Sequence, residues 1–209
     1  MTVDFNKLII SKDIEYYYNP FGGITNDEVL KILEPKHSIE EWIKLIENNQ
    51  PIILQFIGKK GRGKTTHLSA LHQQFQQSDI YYLDRIHKKI KHTQNKVVFI
   101  DSIHRISLFK RLYLWRKKNI SYVITTHWNR SLELKIMGRI HKTYYFKGIT
   151  TEILKNIIIN RICISSNASP ENIIINEDIL QQLIYKYKDD FRSILNFLYD
   201  QFKTVENGS

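Results

Sequence analysis

One segment restricts the chain more than any other: Gly58-Lys59-Lys60-Gly61-Arg62-Gly63-Lys64-Thr65. It follows the apolar run Ile52-Ile53-Leu54-Gln55-Phe56-Ile57, whose length and β-branched content predict a buried parallel strand. It precedes residues 66–75, where Leu68, Leu71 and Phe75 repeat at helical spacing. A glycine-rich turn between a buried strand and a helix is a phosphate-binding loop. The glycines Gly58, Gly61 and Gly63 let the backbone curl until successive N–H groups face one point. The helix start adds its positive dipole end. Lys64 is placed for β- and γ-phosphates, and the Thr65 hydroxyl for Mg²⁺. Arg62 and Thr66 flank this cofactor-binding stretch, while Lys59 and Lys60 read as surface charges.

Around the loop, apolar runs alternate with helical patterns. Further strands are expected at Ile80-Tyr81-Tyr82-Leu83, Val97-Val98-Phe99-Ile100, Tyr122-Val123-Ile124-Thr125-Thr126 and Thr143-Tyr144-Tyr145-Phe146. Short helices are expected after Asn26-Asp27, after Ser38, from Ile106 to Trp115, and over residues 131–138. Such alternation predicts an α/β fold, a P-loop NTPase parallel sheet flanked by helices. From Thr151 onward only helical spacing remains, with helices near 151–162, 177–187 and 191–203. The division read from this pattern is an irregular lead-in at 1–27, a nucleotide-binding core at 28–148 and a small all-helical lid at 149–209.

Asp101 ends the third apolar run, where a carboxylate would hold the Mg²⁺ shell, so Thr65 and Asp101 are the candidate metal residues. Hydrolytic sites of this kind often carry Glu next, to polarise the attacking water, but here the residue is Ser102, a poor base at neutral pH. Asp84, at the end of the second strand, and His104 are the two substitutes the sequence offers. The fourth strand ends in Thr125-Thr126-His127, a polar end able to sense the γ-phosphate. Trp115 and Trp128 read as packing residues.

Composition narrows the partners. The formal charge is +10, and between Arg85 and Lys118 eleven Lys or Arg stand against one acidic residue, Asp101. That surplus suits a nucleic acid or an acidic protein partner, with Lys110, Arg111, Lys117 and Lys118 as contacts; a solvated basic face is the plainer reading. The single cysteine, Cys163, excludes an internal disulfide and points to a reducing, cytoplasmic setting. The first twenty residues are too punctuated by Lys, Asp and Glu for a signal peptide, and no membrane span is expected.

With these residues in place, the chain resembles the AAA+ superfamily of ATPases, above all its clamp-loader and origin-recognition branches. The resemblance runs over roughly residues 15–203. Asn19-Pro20-Phe21 is similar to the segment those families place beside the adenine. Thr126, with Thr125 as alternative, falls at their sensor 1. The run Leu132-Glu133-Leu134-Lys135-Ile136-Met137-Gly138-Arg139-Ile140 resembles their Ser-Arg-Cys segment, with Gly138 and Ile140 in place of Ser and Cys. That implies Arg139 as a finger into a neighbouring subunit of an ATP-dependent homo-oligomer. Asp189-Asp190-Phe191-Arg192 resembles their lid motif and implies Arg192 as sensor 2. The stretch Gln55-Phe56-Ile57-Gly58 with Gly61-Arg62-Gly63-Lys64-Thr65-Thr66-His67-Leu68 is also similar to a group of small bacterial ATPases of uncertain function. A lesser likeness, to ABC-type ATPases, rests on the loop and Thr126-His127, but no Leu-Ser-Gly-Gly signature precedes Asp101. The implied cofactors are ATP and Mg²⁺. The readings left open are an ATP-dependent switch with slow or partner-triggered hydrolysis and DNA as a candidate partner; a nucleotide-binding module with little turnover; and a small-molecule kinase.

Overall fold

The structure, a computed structural model, describes residues 7–11, 14–34, 37–48, 50–91, 94–188 and 190–206. The chain divides into two compact units: Pro35–Lys147, and Met1–Glu34 together with Gly148–Ser209.

The first unit is built on five parallel strands: β1 (Ile53–Ile57), β2 (Ser78–Tyr82), β3 (Val97–Asp101), β4 (Ser121–Thr126) and β5 (His141–Tyr145). They lie in the order β2-β3-β4-β1-β5, so β1 sits inside the sheet between β4 and β5. Alternate residues face opposite sides of a strand. Leu54, Phe56, Phe99 and Val123 therefore join Trp42, Leu68 and Leu71 in one apolar layer. Ile53, Val98, Ile100, Tyr122 and Ile124 join Leu114, Trp115 and Leu134 in the other. Numbering helices along the whole chain, the first layer is roofed by α2 (Ile39–Glu47) and α3 (Lys64–His72). The second is roofed by α4 (Leu108–Trp115) and α5 (Ser131–Ile136). This is the α/β sheet that the alternating pattern predicts.

Several boundaries move for local reasons. Ser38 caps α2 as expected, its hydroxyl accepting from Glu41 N–H at 3.1 Å. The helix after the loop begins at Lys64, directly after the left-handed Gly63 turns the chain. α4 starts after Ser107, whose hydroxyl accepts from Lys110 N–H.

Two arginines are taken inside. Arg111, one of the expected surface contacts, is buried and forks onto Glu133, with Nε at 3.0 Å from Oε1 and Nη2 at 3.0 Å from Oε2. Trp115 Nε1 donates to the same carboxylate at 2.6 Å, and Arg111 Nη1 donates to Ile106 O at 2.7 Å. The ion pair thus ties α4 to α5 with its polar atoms satisfied. Lys118 also serves the fold, donating to the carbonyls of Met137 and Gly138.

In the second unit, α1 (Asn26–Ile32), α6 (Thr151–Ser165), α7 (Glu177–Tyr187) and α8 (Phe191–Glu206) surround a core of Leu8, Phe21, Leu154, Ile158, Leu180 and Leu198. The N-terminal segment is part of this unit. Ile9 pairs with Ile175 and Tyr16 with Ser166 as antiparallel bridges. α1 is capped by Thr25 rather than Asn26, with Glu28 accepting from Thr25 N–H at 2.7 Å. Arg161 is buried and holds the Asn19–Gly22 turn by donating to Pro20 O at 2.9 Å and Gly22 O at 3.1 Å. Burial draws its pKa down to about 10. Residues 7–34 therefore fold with the helices after 148, where the sequence pattern suggests an irregular lead-in followed by core.

Glu133→Ala should lower stability by roughly 3–5 kcal/mol in urea denaturation, because it strands the buried Arg111 guanidinium. Replacing both partners, Arg111→Met with Glu133→Leu, should cost less than that single change.

Candidate functional site

In open parallel sheets, ligands bind beyond the carboxyl ends of the strands. Gly58, Asp101, Thr125 and Thr126 stand at the carboxyl ends of β1, β3 and β4. The loop between β1 and α3 contains two left-handed glycines, Gly61 at φ 75° and Gly63 at φ 81°. A side chain is strained at such angles, which is why the turn uses glycine. Gly58 is required for another reason: a Cβ there would lie 2.5 Å from the carbonyl oxygen of Phe146. Lys64 opens α3 and folds back across the loop, its ammonium donating to Lys59 O at 2.7 Å. His67, one turn on, is buried against Trp42 and Phe146 and has Nδ1 2.8 Å from Gly63 O. Thr65 and Thr66 are the next residues of α3, and Arg62 is the half-buried residue between the two turning glycines.

Behind the loop, one carboxylate gathers the hydroxyls. Asp101 Oδ1 accepts from Thr65 Oγ1 at 2.9 Å and from Thr125 Oγ1 at 2.7 Å. Thr125 Oγ1 in turn accepts from Ser102 N–H at 2.7 Å, and Ser102 Oγ donates to Asp101 Oδ2 at 3.2 Å. Thr126 points to the opposite face of β4, and its hydroxyl closes the following turn with Trp128 N–H and O. Of the two threonines it is Thr125 that meets Asp101. Ser102 holds a left-handed backbone at φ 62°, unusual for a residue other than glycine, and its two hydrogen bonds fix it there.

The other sequence candidates fall in different surroundings. Asp84 lies two residues beyond β2, and its carboxylate is spent on its own turn, accepting from Ile86 N–H at 2.6 Å and His87 N–H at 2.5 Å. Hydrogen bonding from the His87 side chain first, then from these backbone groups, lowers its pKa to about 2. His104 sits in a 3₁₀ turn, Ile103–Arg105, with its ring centroid 4.5 Å from that of His127. His127 Nδ1 is 2.9 Å from Gly58 O, so this ring pair touches the loop. Burial, then the positive charges of His127, Arg105, Arg130 and Lys64, draw the His104 pKa from 6.5 to about 4. Trp128 is not a packing residue but stands 62% exposed beside the pair.

Arg139 is placed against the role of a finger. It is only 5% exposed, donates to Lys117 O at 2.6 Å and Ile120 O at 2.5 Å, and so anchors the turn before β4. Arg192 belongs to the other unit, where it is the second residue of α8 and its N–H is held by Asp190 Oδ1 at 3.1 Å. Asp189 of the same motif lies outside the described residues.

Gln55, fully buried in β1, is a supporting residue that the sequence reading passes over. Its Nε2 donates to Ser131 Oγ at 2.8 Å and Thr143 Oγ1 at 2.7 Å, and its Oε1 accepts from Arg130 N–H at 3.0 Å. It therefore holds the turn that carries His127 and Trp128. The signal was there: a lone amide inside an apolar strand needs partners for every polar atom.

No family model matches this chain, and no curated protein matches it. Among solved structures it is similar to a chain of the structure of Drosophila ORC bound to DNA, with a TM-score of 0.52 and 13% sequence identity. The match covers 87% of this chain and 60% of that one, so this chain spans less than two thirds of its length. The likeness shows the fold: a five-stranded parallel sheet with flanking helices, consistent with a P-loop NTPase-like domain. Among the described residues, no helix is long and apolar enough to cross a membrane.

The unfolded chain binds a proton at His104 more tightly than the folded one. Stability should therefore fall as pH is lowered from about 6.5 to about 4, then level off in this contribution. His104→Gln should flatten that part of the urea-midpoint profile. An unchanged slope would remove His104 as its source.

Proposed function

We propose that this chain binds a Mg²⁺–ATP complex in loop 58–65 and works as a nucleotide-dependent switch whose hydrolysis is slow until a partner assists. The observation that carries the reading is the Thr65–Asp101–Thr125 cluster directly behind a glycine-turned loop at a helix start. The donor types fit the cofactor. Backbone N–H groups at the start of α3 and the Lys64 ammonium suit phosphate oxygens. Thr65 and Asp101 provide a hydroxyl and a carboxylate, the hard oxygen donors that Mg²⁺ prefers. Among the described residues no cluster of three or more His, Cys, Asp or Glu offers a different metal site, so the remaining ligands would be water and phosphate. Bound Mg²⁺ neutralises charge on the transferring phosphoryl group.

The chain's own groups account for slowness. A water attacking the γ-phosphate needs a carboxylate or similar acceptor to orient it. Asp101 is engaged by Thr65 and Thr125, and Asp84 by its own turn. Ser102 donates its hydroxyl to Asp101. His104 stays neutral near pH 7 and reaches the loop region through its ring contact with His127, but a group with a pKa near 4 is a weak base. General-base catalysis typically contributes roughly 10²–10⁴-fold, so basal turnover should be low by about that factor. Thr125, through Asp101, supports sensing of the bound triphosphate, and the His127–Gly58 contact supports a route from the loop to the exposed Trp128 turn. The resemblance to origin-recognition AAA+ proteins and the likeness to a chain of the structure of Drosophila ORC bound to DNA favour a switch that assembles on a partner over a small-molecule kinase. Arg139, buried on the carbonyls of Lys117 and Ile120, has no part in this reading of the switch.

Lys64→Ala should abolish or severely weaken Mg–ATP binding by titration calorimetry while the fold persists. Equal affinity in folded mutant and parent would refute the site. Ser102→Glu should raise basal phosphate release at least severalfold. A parent that already turns over briskly would contradict the slow switch.

A further inference from the structure

The basic surplus between Arg85 and Lys118 is not spread evenly over the surface. Part of it lines one groove, about 570 Å³ in volume, between the segment after β2 and the outer face of α4. Five lysines border it: Lys88, Lys89 and Lys91 from the segment, Lys110 and Lys117 at α4 and its end. No Asp or Glu is among its lining residues. The floor is apolar, made by Ile90, Ile106 and Leu114.

The wall presents two rings that the fold does not need. Phe109 is 83% exposed and Tyr113 61% exposed, while α4 turns Arg111, Leu114 and Trp115 inward. The two rings are spaced i, i+4, so they share one helix face with Cβ atoms about 5–6 Å apart. The Lys117 ammonium lies 5.4 Å from the Tyr113 ring centre.

We propose that this groove binds single-stranded nucleic acid, with the lysines on phosphates and Phe109 and Tyr113 under unpaired bases. Lysine is a point-charge binder of phosphate, and flat rings accept any base face without reading its sequence. A duplex keeps its base faces stacked inside. An acidic protein segment would answer the charge but has no base to place on the rings. None of these residues belongs to loop 58–65, so the proposal stands apart from the nucleotide reading.

The test is fluorescence anisotropy of a labelled deoxythymidine 20-mer with the full chain, without ATP, over a salt series from 50 to 200 mM. Binding should weaken with salt, with a log–log slope of roughly 0.7 for each phosphate neutralised. Lys110→Ala and Lys117→Ala should each flatten the slope by about 0.7. Phe109→Ala and Tyr113→Ala should each weaken binding at least about five-fold without changing the slope. Both rings are exposed, so these variants should keep the parent's circular dichroism and urea midpoint. Lys64→Ala should bind the oligomer as the parent does; loss there would put the strand in the phosphate loop and overturn the proposal. No binding at 50 mM salt would also overturn it. So would a duplex, or a glutamate-rich peptide, binding as tightly as the single strand with the ring variants unaffected.

Discussion

The site depends on one carboxylate. Asp101 ends β3 and receives hydroxyls from α3 and from β4, so three elements at the carboxyl edge of the sheet are fixed to one another. It can do so because β3 and β4 are adjacent and in register, with Ile100 beside Ile124, which leaves Thr125 beyond the last pair on the face turned to α3. A shift of one residue along β4 would bring Thr126 there instead and turn the apolar residues to the wrong layers. The packing of Phe99 and Val123 on one side, with Ile100 and Ile124 on the other, therefore sets the geometry of the site.

The same constraint explains what the sequence revealed and what it withheld. Loop 58–65 was legible because its glycines answer a backbone demand that few other residues meet, and a strand and a helix flank it. Asp101 was legible as the end of a four-residue apolar run. Choosing between Thr125 and Thr126 was harder: adjacent residues of one type differ only in which face they take, and that follows from neighbouring strands. Arg139 was expected as a finger and Arg111 as a surface contact because nothing local announces the backbone carbonyls and the Glu133 carboxylate that pair with them. The pairing of residues 7–34 with helices beyond 148 was hidden for the same reason, since its bridges join positions more than a hundred residues apart.

Buried polar groups have a consistent role in the first unit. Gln55 spans the interior of the sheet to hold the turn after β4, and Glu133 joins α4 to α5. Each is satisfied by several partners, which is the condition under which buried polarity fixes one arrangement rather than weakening it. Arg130 joins the two, its N–H on Gln55 Oε1 and its guanidinium 3.9 Å from Glu133 Oε2. The turn that Gln55 holds carries His127 and Trp128, and His127 meets the loop at Gly58 O.

The central claim is that Thr65 and Asp101 together hold a cation on a triphosphate gripped by the loop. Calorimetric titration with a non-hydrolysable ATP analogue, with and without Mg²⁺, on the parent, Thr65→Ala and Asp101→Asn measures this directly. The account predicts Mg²⁺-enhanced affinity in the parent and the loss of that enhancement in both variants. Affinity that ignores Mg²⁺ in the parent, or an enhancement that survives both substitutions in folded protein, would contradict it.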